Sequence, residues 1–408
     1  MMKIKKIAVF TGNRAEYGLQ YPVLKAIEKH PNLDYQLMVS GAHLDDNFGN
    51  TKNEIINDGF KISSEINIHL DETKKFATPQ AIGSGVIEIS KELDRLQPDI
   101  FVVYADRFEG FAAVIASTQM NIPTAHIEGG DITEGGALDD SVRHAMTKLS
   151  HFHFTTNQQA TNRILAMGEA AWRVQTVGFP AIDLIQEGNF AKDEEIQEFF
   201  NFDLSRPIVL FTQHSVTTEF EKATKQLASS LDALSSLDDD IQIIVTYPNN
   251  DAGGQSIIDY ITNYFNSANK RNIQVHSSLG RYLYHGVLAL SQDSNKRICC
   301  AGNSSSGIKE TPVFNCPTVN IGSRQLNRLR GENVIDADYD KNEILNAINT
   351  CLFDEKFRDV VNNCENPYGL GDAGKKIADF LANLKLDKEK VLRKEMSLMG
   401  KVNDGWYQ

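Results

Sequence analysis

Residues 100–131 read IFVVYADRFEGFAAVIASTQMNIPTAHIEGGD, and this stretch decides the fold. Ile100–Tyr104 is a short run of β-branched and aromatic residues, the composition of a buried strand. Phe108–Met120 carries helical spacing, and Thr124–Ile127 is a second strand. Strand, helix and strand in that order make a βαβ unit, whose two strands lie parallel. The same alternation runs outward in both directions. Ile7–Phe10, Tyr35–Val39, His151–Thr155 and Val174–Val177 read as strands, and Pro79–Leu96 as a helix. A polar stretch from Gln186 to Arg206 interrupts the pattern. It restarts with Ile208–Thr212, Ile241–Thr246, Ile273–His276, Arg297–Cys300 and Thr318–Ile321. At about 150 residues per domain, the 408 residues make two large domains. The expectation is an α/β protein with two doubly wound, Rossmann-like domains facing a cleft.

Composition removes several classes of function. Hydrophobic residues make up 41% and charged residues 23%, which excludes general disorder. With 41 basic against 54 acidic side chains the net charge is −13. That balance repels polyanions, so neither nucleic acid nor an anionic membrane is expected as a partner. No segment approaches the ~18–20 apolar residues of a membrane span. Ile7-Ala8-Val9-Phe10 is too short for a signal-peptide core. The five cysteines all lie after residue 298 without a CxxC spacing, which reads as buried free thiols in a reducing cytoplasm rather than a zinc site. Asp238-Asp239-Asp240 directly precedes a strand and reads as a solvated loop.

Open parallel sheets bind ligands beyond the carboxyl ends of their strands, so the loops there carry the functional candidates. The first strand runs into Thr11-Gly12-Asn13-Arg14, a glycine turn entering a helix, where Arg14 offers a cation for an anion. An ordinary βα turn with a surface arginine has the same sequence. Asp106 and Arg107 follow the strand Ile100–Tyr104, and Glu128 follows Thr124–Ile127. After a loop containing Gly135-Gly136, Asp139 and Asp140 open a helix. There the four-residue spacing pairs Asp139 with Arg143 and Asp140 with His144. Asp106, Glu128 and Asp139 would share one rim, and clustered carboxylates shift one another's pKa, as acid–base chemistry requires. In the second half, His214 ends a strand and is equally a packed histidine or a ligand contact. Asn303, Ser304, Ser305, Ser306 and Gly307 open a helix with hydroxyl and N–H donors that suit a phosphate, and Arg324 adds a cation. His126, His151 and His153 lie on strands and read as core residues.

Together, TGNRAEYG (11–18), ADR (105–107), HIEGGD (126–131), DDSVRHAMTKLSH (139–151), HSVTTE (214–219), GNSSSGIKE (302–310), IGSRQ (321–325) and RGENV (330–334) resemble the hydrolysing UDP-N-acetylglucosamine 2-epimerases of sialic and related nonulosonic acid biosynthesis. The resemblance implies a GT-B-like architecture, with residues 1–185 carrying the catalytic carboxylates and 186–375 binding UDP. A helical tail, 376–408, would be available to pack back on the first domain. It matches Asp106, Glu128 and Asp139 to the catalytic carboxylates, with Arg107, Arg143 and His144 beside them. It matches Arg14, His214, Asn303, Ser304, Ser305, Gly307, Glu310 and Arg324 to positions that hold UDP, with Glu310 on the ribose hydroxyls. No cofactor and no metal are implied. The partners are UDP and UDP-N-acetylglucosamine, in a cytoplasmic homo-oligomer (dimer or tetramer). Two departures stand out: the loop from Glu128 to Asp139 is longer through Gly135-Gly136, and Lys309 replaces a more familiar arginine or glutamine. The longer loop bears on the sugar more than on the nucleotide.

The implied reaction turns UDP-N-acetylglucosamine and water into UDP and N-acetylmannosamine. Alternatives are the same reaction on UDP-2,4-diacetamido-2,4,6-trideoxyglucose, a GT-B glycosyltransferase, and a UDP-sugar sensor without catalysis.

Overall fold

The computed structural model describes residues 4–44, 51–68, 76–133, 138–249, 253–268 and 272–396. Gly135-Gly136 and the terminal Trp406 and Tyr407 lie outside the described residues. The chain forms two compact units: the first holds described residues of 1–132, 138–184 and 368–408, the second those of 185–367 with Thr133.

In the first unit, seven strands lie in one sheet: β1 (Lys5–Thr11), β2 (Leu33–Ser40), β3 (Ile62–Ile66), β4 (Ile100–Tyr104), β5 (Thr124–Ile127), β6 (Phe152–Thr155) and β7 (Val174–Thr176). Their order is β3-β2-β1-β4-β5-β6-β7, every pair parallel. The order reverses between β1 and β4, which creates a topological switch point at their carboxyl ends. Helices on both faces bury every residue of β4 and β5; β4 is apolar throughout but for the Tyr104 hydroxyl, and the polar Thr124 and His126 of β5 are hydrogen-bonded inside. Two hydrophobic clusters, one on each side of the sheet, contain Val9, Val102 and Phe154 on one face and Phe10, Phe101 and Val103 on the other.

The second unit repeats the plan with β8 (Ile208–Thr212), β9 (Gln242–Thr246), β10 (Ile273–His276), β11 (Ile298–Gly302), β12 (Thr318–Ile321) and β13 (Val334–Ala337). The order is β10-β9-β8-β11-β12-β13, again all parallel, with its switch point between β8 and β11. Cys299, Cys300, Cys316 and Cys351 are buried free thiols, and Cys364 is half-buried.

The structure adds to the expected elements and corrects some. β3 and β13 were not anticipated. Both are edge strands with only part of their residues buried, so neither shows the apolar run that marks the central strands. The polar stretch 186–206 that interrupts the alternation holds the helix Asp193–Phe200, which sinks Ile196 and Phe200 into the core of the second unit. Beyond His214 the chain makes a 3-10 turn, Thr217–Lys222, and the α-helix begins only at Ala223.

The chain returns to the first unit at Tyr368, ahead of the expected 376, and the helix Ala373–Asn383 packs on the helix Arg14–Lys29. Asp183 caps its start, accepting from the N–H groups of Ala373 (3.0 Å) and Gly374 (2.8 Å). Lys5 Nζ caps its end, donating to the carbonyls of Leu381, Ala382 and Leu384. Further on, Arg173 donates to the carbonyls of Lys390, Val391 and Arg393, and Lys394 pairs with the buried Glu169 at 3.0 Å. Among the described residues no helix is long and apolar enough to cross a membrane.

Candidate active site

Parallel register decides which residues meet at the rim of the first sheet. Tyr104 pairs with Ile127, so Ala105-Asp106-Arg107 and Glu128 leave the sheet side by side. Ala105 turns with φ +53°, a left-handed conformation that costs a non-glycine residue roughly 1–2 kcal/mol. Its carbonyl accepts from His126 Nε2 at 2.6 Å, and His126 Nδ1 lies 3.1 Å from the Thr147 hydroxyl. Burial drives the His126 pKa down to about 3, so the ring is neutral, with its proton on Nε2. As the sequence predicts, His126 is a buried core residue.

Asp106 meets the guanidinium of Arg143, which also reaches Asp140 at 3.2 Å. This corrects the expected pairing. The buried face of the helix Leu138–Leu149 runs through Asp140, Arg143 and Thr147, three and four residues apart, while Asp139 is exposed in its first turn. Asp140, not Asp139, therefore shares Arg143 with Asp106. His144 is half-buried, and burial and then the Arg143 charge lower its pKa. Glu128 is buried with φ +63°, and its N–H donates to the Phe154 carbonyl at 2.9 Å. The Tyr104 phenol is held well above its usual pKa by burial first and by Glu128 next. Asp131, also buried, completes the acidic rim.

Two expected cations in this unit have acidic neighbours. The Arg14 guanidinium, on an exposed side chain, binds Glu54 at 2.9 Å. Arg107 is exposed, with Nε 3.6 Å from Glu109 Oε2.

In the second unit, Gly302 pairs with both Thr212 and Asn320, so the loops after β8, β11 and β12 leave level with one another. Only glycine serves at 302: φ is +124°, and a Cβ there would stand 1.9 Å from the Thr212 carbonyl oxygen. The next residue, Asn303, ties the loops together. Its Oδ1 accepts from the His214 N–H (2.7 Å), and its Nδ2 donates to the His214 carbonyl (2.9 Å). Its own carbonyl accepts from Gln325 Nε2 (2.9 Å) and from Arg324 (3.2 Å). His214, Asn303 and Arg324 are thus one bonded group. Burial, then the Arg324 charge, pulls the His214 pKa down to about 3. Since His214 Nδ1 accepts from the Asn249 N–H at 3.0 Å, the neutral ring carries its proton on Nε2 and offers it as a donor.

The serine turn continues from that group. Ser304, Ser305 and Ser306 are half-buried; Ser306 lies 3.1 Å from Ser304 and 2.6 Å from the Tyr284 hydroxyl. Gly307 is buried against Thr318. Glu310 pairs with the buried His285, Oε2 to Nε2 at 2.9 Å. Sequence spacing alone pairs Asp140 with His144, and it gives no role to Gln325, Tyr284 or His285. Gln325 stood inside a recognised motif, whereas nothing local to Tyr284 and His285 links them to a loop some 20 residues on.

Two all-parallel, doubly wound units, each with its polar groups beyond the strand ends at a switch point, define a GT-B-like α/β protein. The sequence matches the family described as UDP-N-acetylglucosamine 2-epimerase over residues 25–382, and the chain belongs to that family. A protein of Legionella pneumophila named UDP-N,N'-diacetylbacillosamine 2-epimerase (hydrolyzing) is 34% identical over 386 residues, covering 95% of this chain and 98% of that one. The UDP-N-acetylglucosamine 2-epimerase of Neisseria meningitidis serogroup B is 30% identical, covering 89% and 96%. A crystal structure of UDP-GlcNAc 2-epimerase from Neisseria meningitidis, bound to UDP-GlcNAc, has a similar fold, with TM-score 0.71 at 18% identity over 93% of this chain and 100% of that one. At this level of description the chain is a UDP-sugar 2-epimerase.

Proposed function

We propose that this chain is a hydrolysing epimerase that converts UDP-N-acetylglucosamine and water to UDP and N-acetylmannosamine. The observation that carries the reading is the acidic rim beyond β4 and β5, where Asp106 is ion-paired to Arg143 and Glu128 is buried in a left-handed conformation. Backbone strain of that kind persists where a side chain must be aimed. The hydrogen on carbon 2 of the sugar is not next to a carbonyl, so a carboxylate alone removes it too slowly. Departure of UDP builds positive charge at carbon 1 and acidifies the neighbouring C–H. Elimination then gives a glycal, and water adds at carbon 1 with a proton returning to carbon 2 from the opposite face. Asp106 is tied to Arg143, and we assign proton abstraction to Glu128, with Asp139 and His144 nearby in sequence for the return step. Electrostatic stabilisation of the leaving diphosphate falls to the neutral His214 Nε2–H, Arg324 and the serine turn.

The Legionella relative's name supports a second reading, in which the sugar is the 2,4-diacetamido-2,4,6-trideoxy form. The two sugars share carbons 1 and 2, so the chemistry stays the same. Incubating the protein with each UDP-sugar in deuterated water, followed by NMR, tests both. The expected product is a free 2-acetamido sugar of inverted configuration with deuterium at carbon 2, formed beside UDP. UDP release that requires an added acceptor would instead point to a glycosyltransferase, and binding without turnover to a sensor.

A further inference from the structure

Under the turn that follows β1 lie two buried carboxylic acids with no role in the steps above. Glu16, in the first turn of Arg14–Lys29, accepts from the Gly12 N–H through Oε2 at 2.8 Å, while its Oε1 is buried without a hydrogen bond. Glu109, in the first turn of Phe108–Gln119, is 2% exposed; its Oε2 makes no hydrogen bond and faces Arg107 Nε at 3.6 Å. The backbone is shaped around Glu109. A Cβ on Gly12 would stand 3.0 Å from Glu109 Cβ, and one on Gly41 would stand 3.0 Å from Glu109 Oε1.

Neighbouring carboxyls in one dry socket do not both carry charge. Burial, then the Glu109 charge, lifts Glu16 to about 8, so Glu16 keeps its proton at neutral pH. Burial also raises Glu109, but the Arg107 guanidinium opposes that shift. The one negative charge therefore belongs on Glu109, the carboxyl with a cation facing it. An exposed arginine loses side-chain entropy when it is fixed, and a buried carboxylate, poorly screened by water, attracts it more strongly than a surface one.

We propose that Glu109 is a positioning residue, which holds the Arg107 guanidinium next to Asp106 at the rim of the first sheet, where it acts on the sugar step and not on UDP binding. This rests on the UDP-sugar reading given above.

The test is a double-mutant cycle with the full chain. Glu109→Gln keeps the side-chain volume and removes the charge. Expected is a fall in kcat of about tenfold with the UDP Kd unchanged, and a further change of less than about twofold when Glu109→Gln is added to Arg107→Ala. An unchanged kcat in Glu109→Gln, or losses that multiply in the double variant, overturns the proposal. A second measurement needs neither turnover nor the Glu109 variant: the carboxyl 13C titration of Glu109 in Arg107→Ala. Its midpoint should rise once the opposing cation is gone, and a midpoint that stays put also overturns the proposal. A wild-type protein that turns over no UDP-sugar counts against the function proposed above, while the titration still decides the contact.

Discussion

The Nε2–H of His126 donates to the carbonyl oxygen of Ala105 at 2.6 Å, and this bond ties β5 to the turn that presents Asp106 and Arg107. Ala105 is left-handed at φ +53°, so the bond supports a conformation the residue would otherwise leave. His126→Leu removes the donor and leaves the half-buried Ala105 carbonyl without it. The expected cost is about 1–3 kcal/mol of stability, seen as a lower Tm, with kcat falling more than UDP affinity. Thermal melts and calorimetry with UDP measure the two effects separately.

Glu128→Gln and Asp139→Asn should separate turnover from binding. Both amides preserve size and hydrogen-bonding capacity but remove basicity. Turnover should fall by at least about 10²-fold in each, the low end for losing a general acid or base, with UDP affinity kept. Normal rates in both variants would remove the acidic rim from the mechanism.

Asp140→Asn should behave differently from Asp139→Asn. Asp140 and Arg143 are both buried and in contact, so the asparagine takes a carboxylate away from a buried guanidinium. A drop in denaturation midpoint is expected for Asp140→Asn, with little or none for the exposed Asp139→Asn. Equal midpoints for the two variants would contradict the buried-face assignment.

Nucleotide affinity should depend on Arg324. Arg324→Ala removes a cation beside His214 and one of two donors to the Asn303 carbonyl. Loss of a charge-assisted contact to the diphosphate should cost about 1.5–3 kcal/mol in UDP binding by calorimetry, and Ser305→Ala less. Arg14→Ala tests whether Arg14 turns from Glu54 to the ligand: an affinity equal to wild type would leave Glu54 as its partner.

The buried acid Glu16 makes a pH prediction with a definite sign. Its pKa rises from 4.5 to about 8 in the folded chain, so below 4.5 both states are protonated and the residue is neutral in the balance. Above 4.5 the unfolded chain gives up the proton while the folded one retains it, and stability drains away until about pH 8. Glu16→Gln removes that drain. Its Tm should match wild type near pH 4 and exceed it progressively toward pH 8; a constant offset across that range would mean that Glu16 does not titrate late.

Residue types and their order carried a good part of this protein. β4, β5, β8, β10 and β12 have the bounds the sequence predicts: four are central strands, buried on both faces and rich in apolar or β-branched residues, and the edge strand β10 keeps the β-branched Ile273 and Val275. The loops to search followed from the same reasoning, since a doubly wound sheet presents its ligand site beyond the strand ends. Edge strands β7 and β10 were legible, but β3 and β13, ISSEI and VIDA, set polar residues in short, partly exposed runs that carry no strand pattern of their own.

What the tertiary structure alone decided is who meets whom at those loops. Spacing on an isolated helix made Asp139 the partner of Arg143, but it cannot tell which face the sheet will cover; packing buried Asp140 instead and brought Asp106 to the same guanidinium from a separate strand. Asn303 bonds to His214 and Arg324 only because β8, β11 and β12 lie in register, and His285 reaches Glu310 from another helix. Glu16 and Glu109 are 93 residues apart and ordinary as letters. The β1–β4 switch point sets them in one socket, where loss of solvent raises both pKa values and the Arg107 cation facing Glu109 leaves the proton on Glu16.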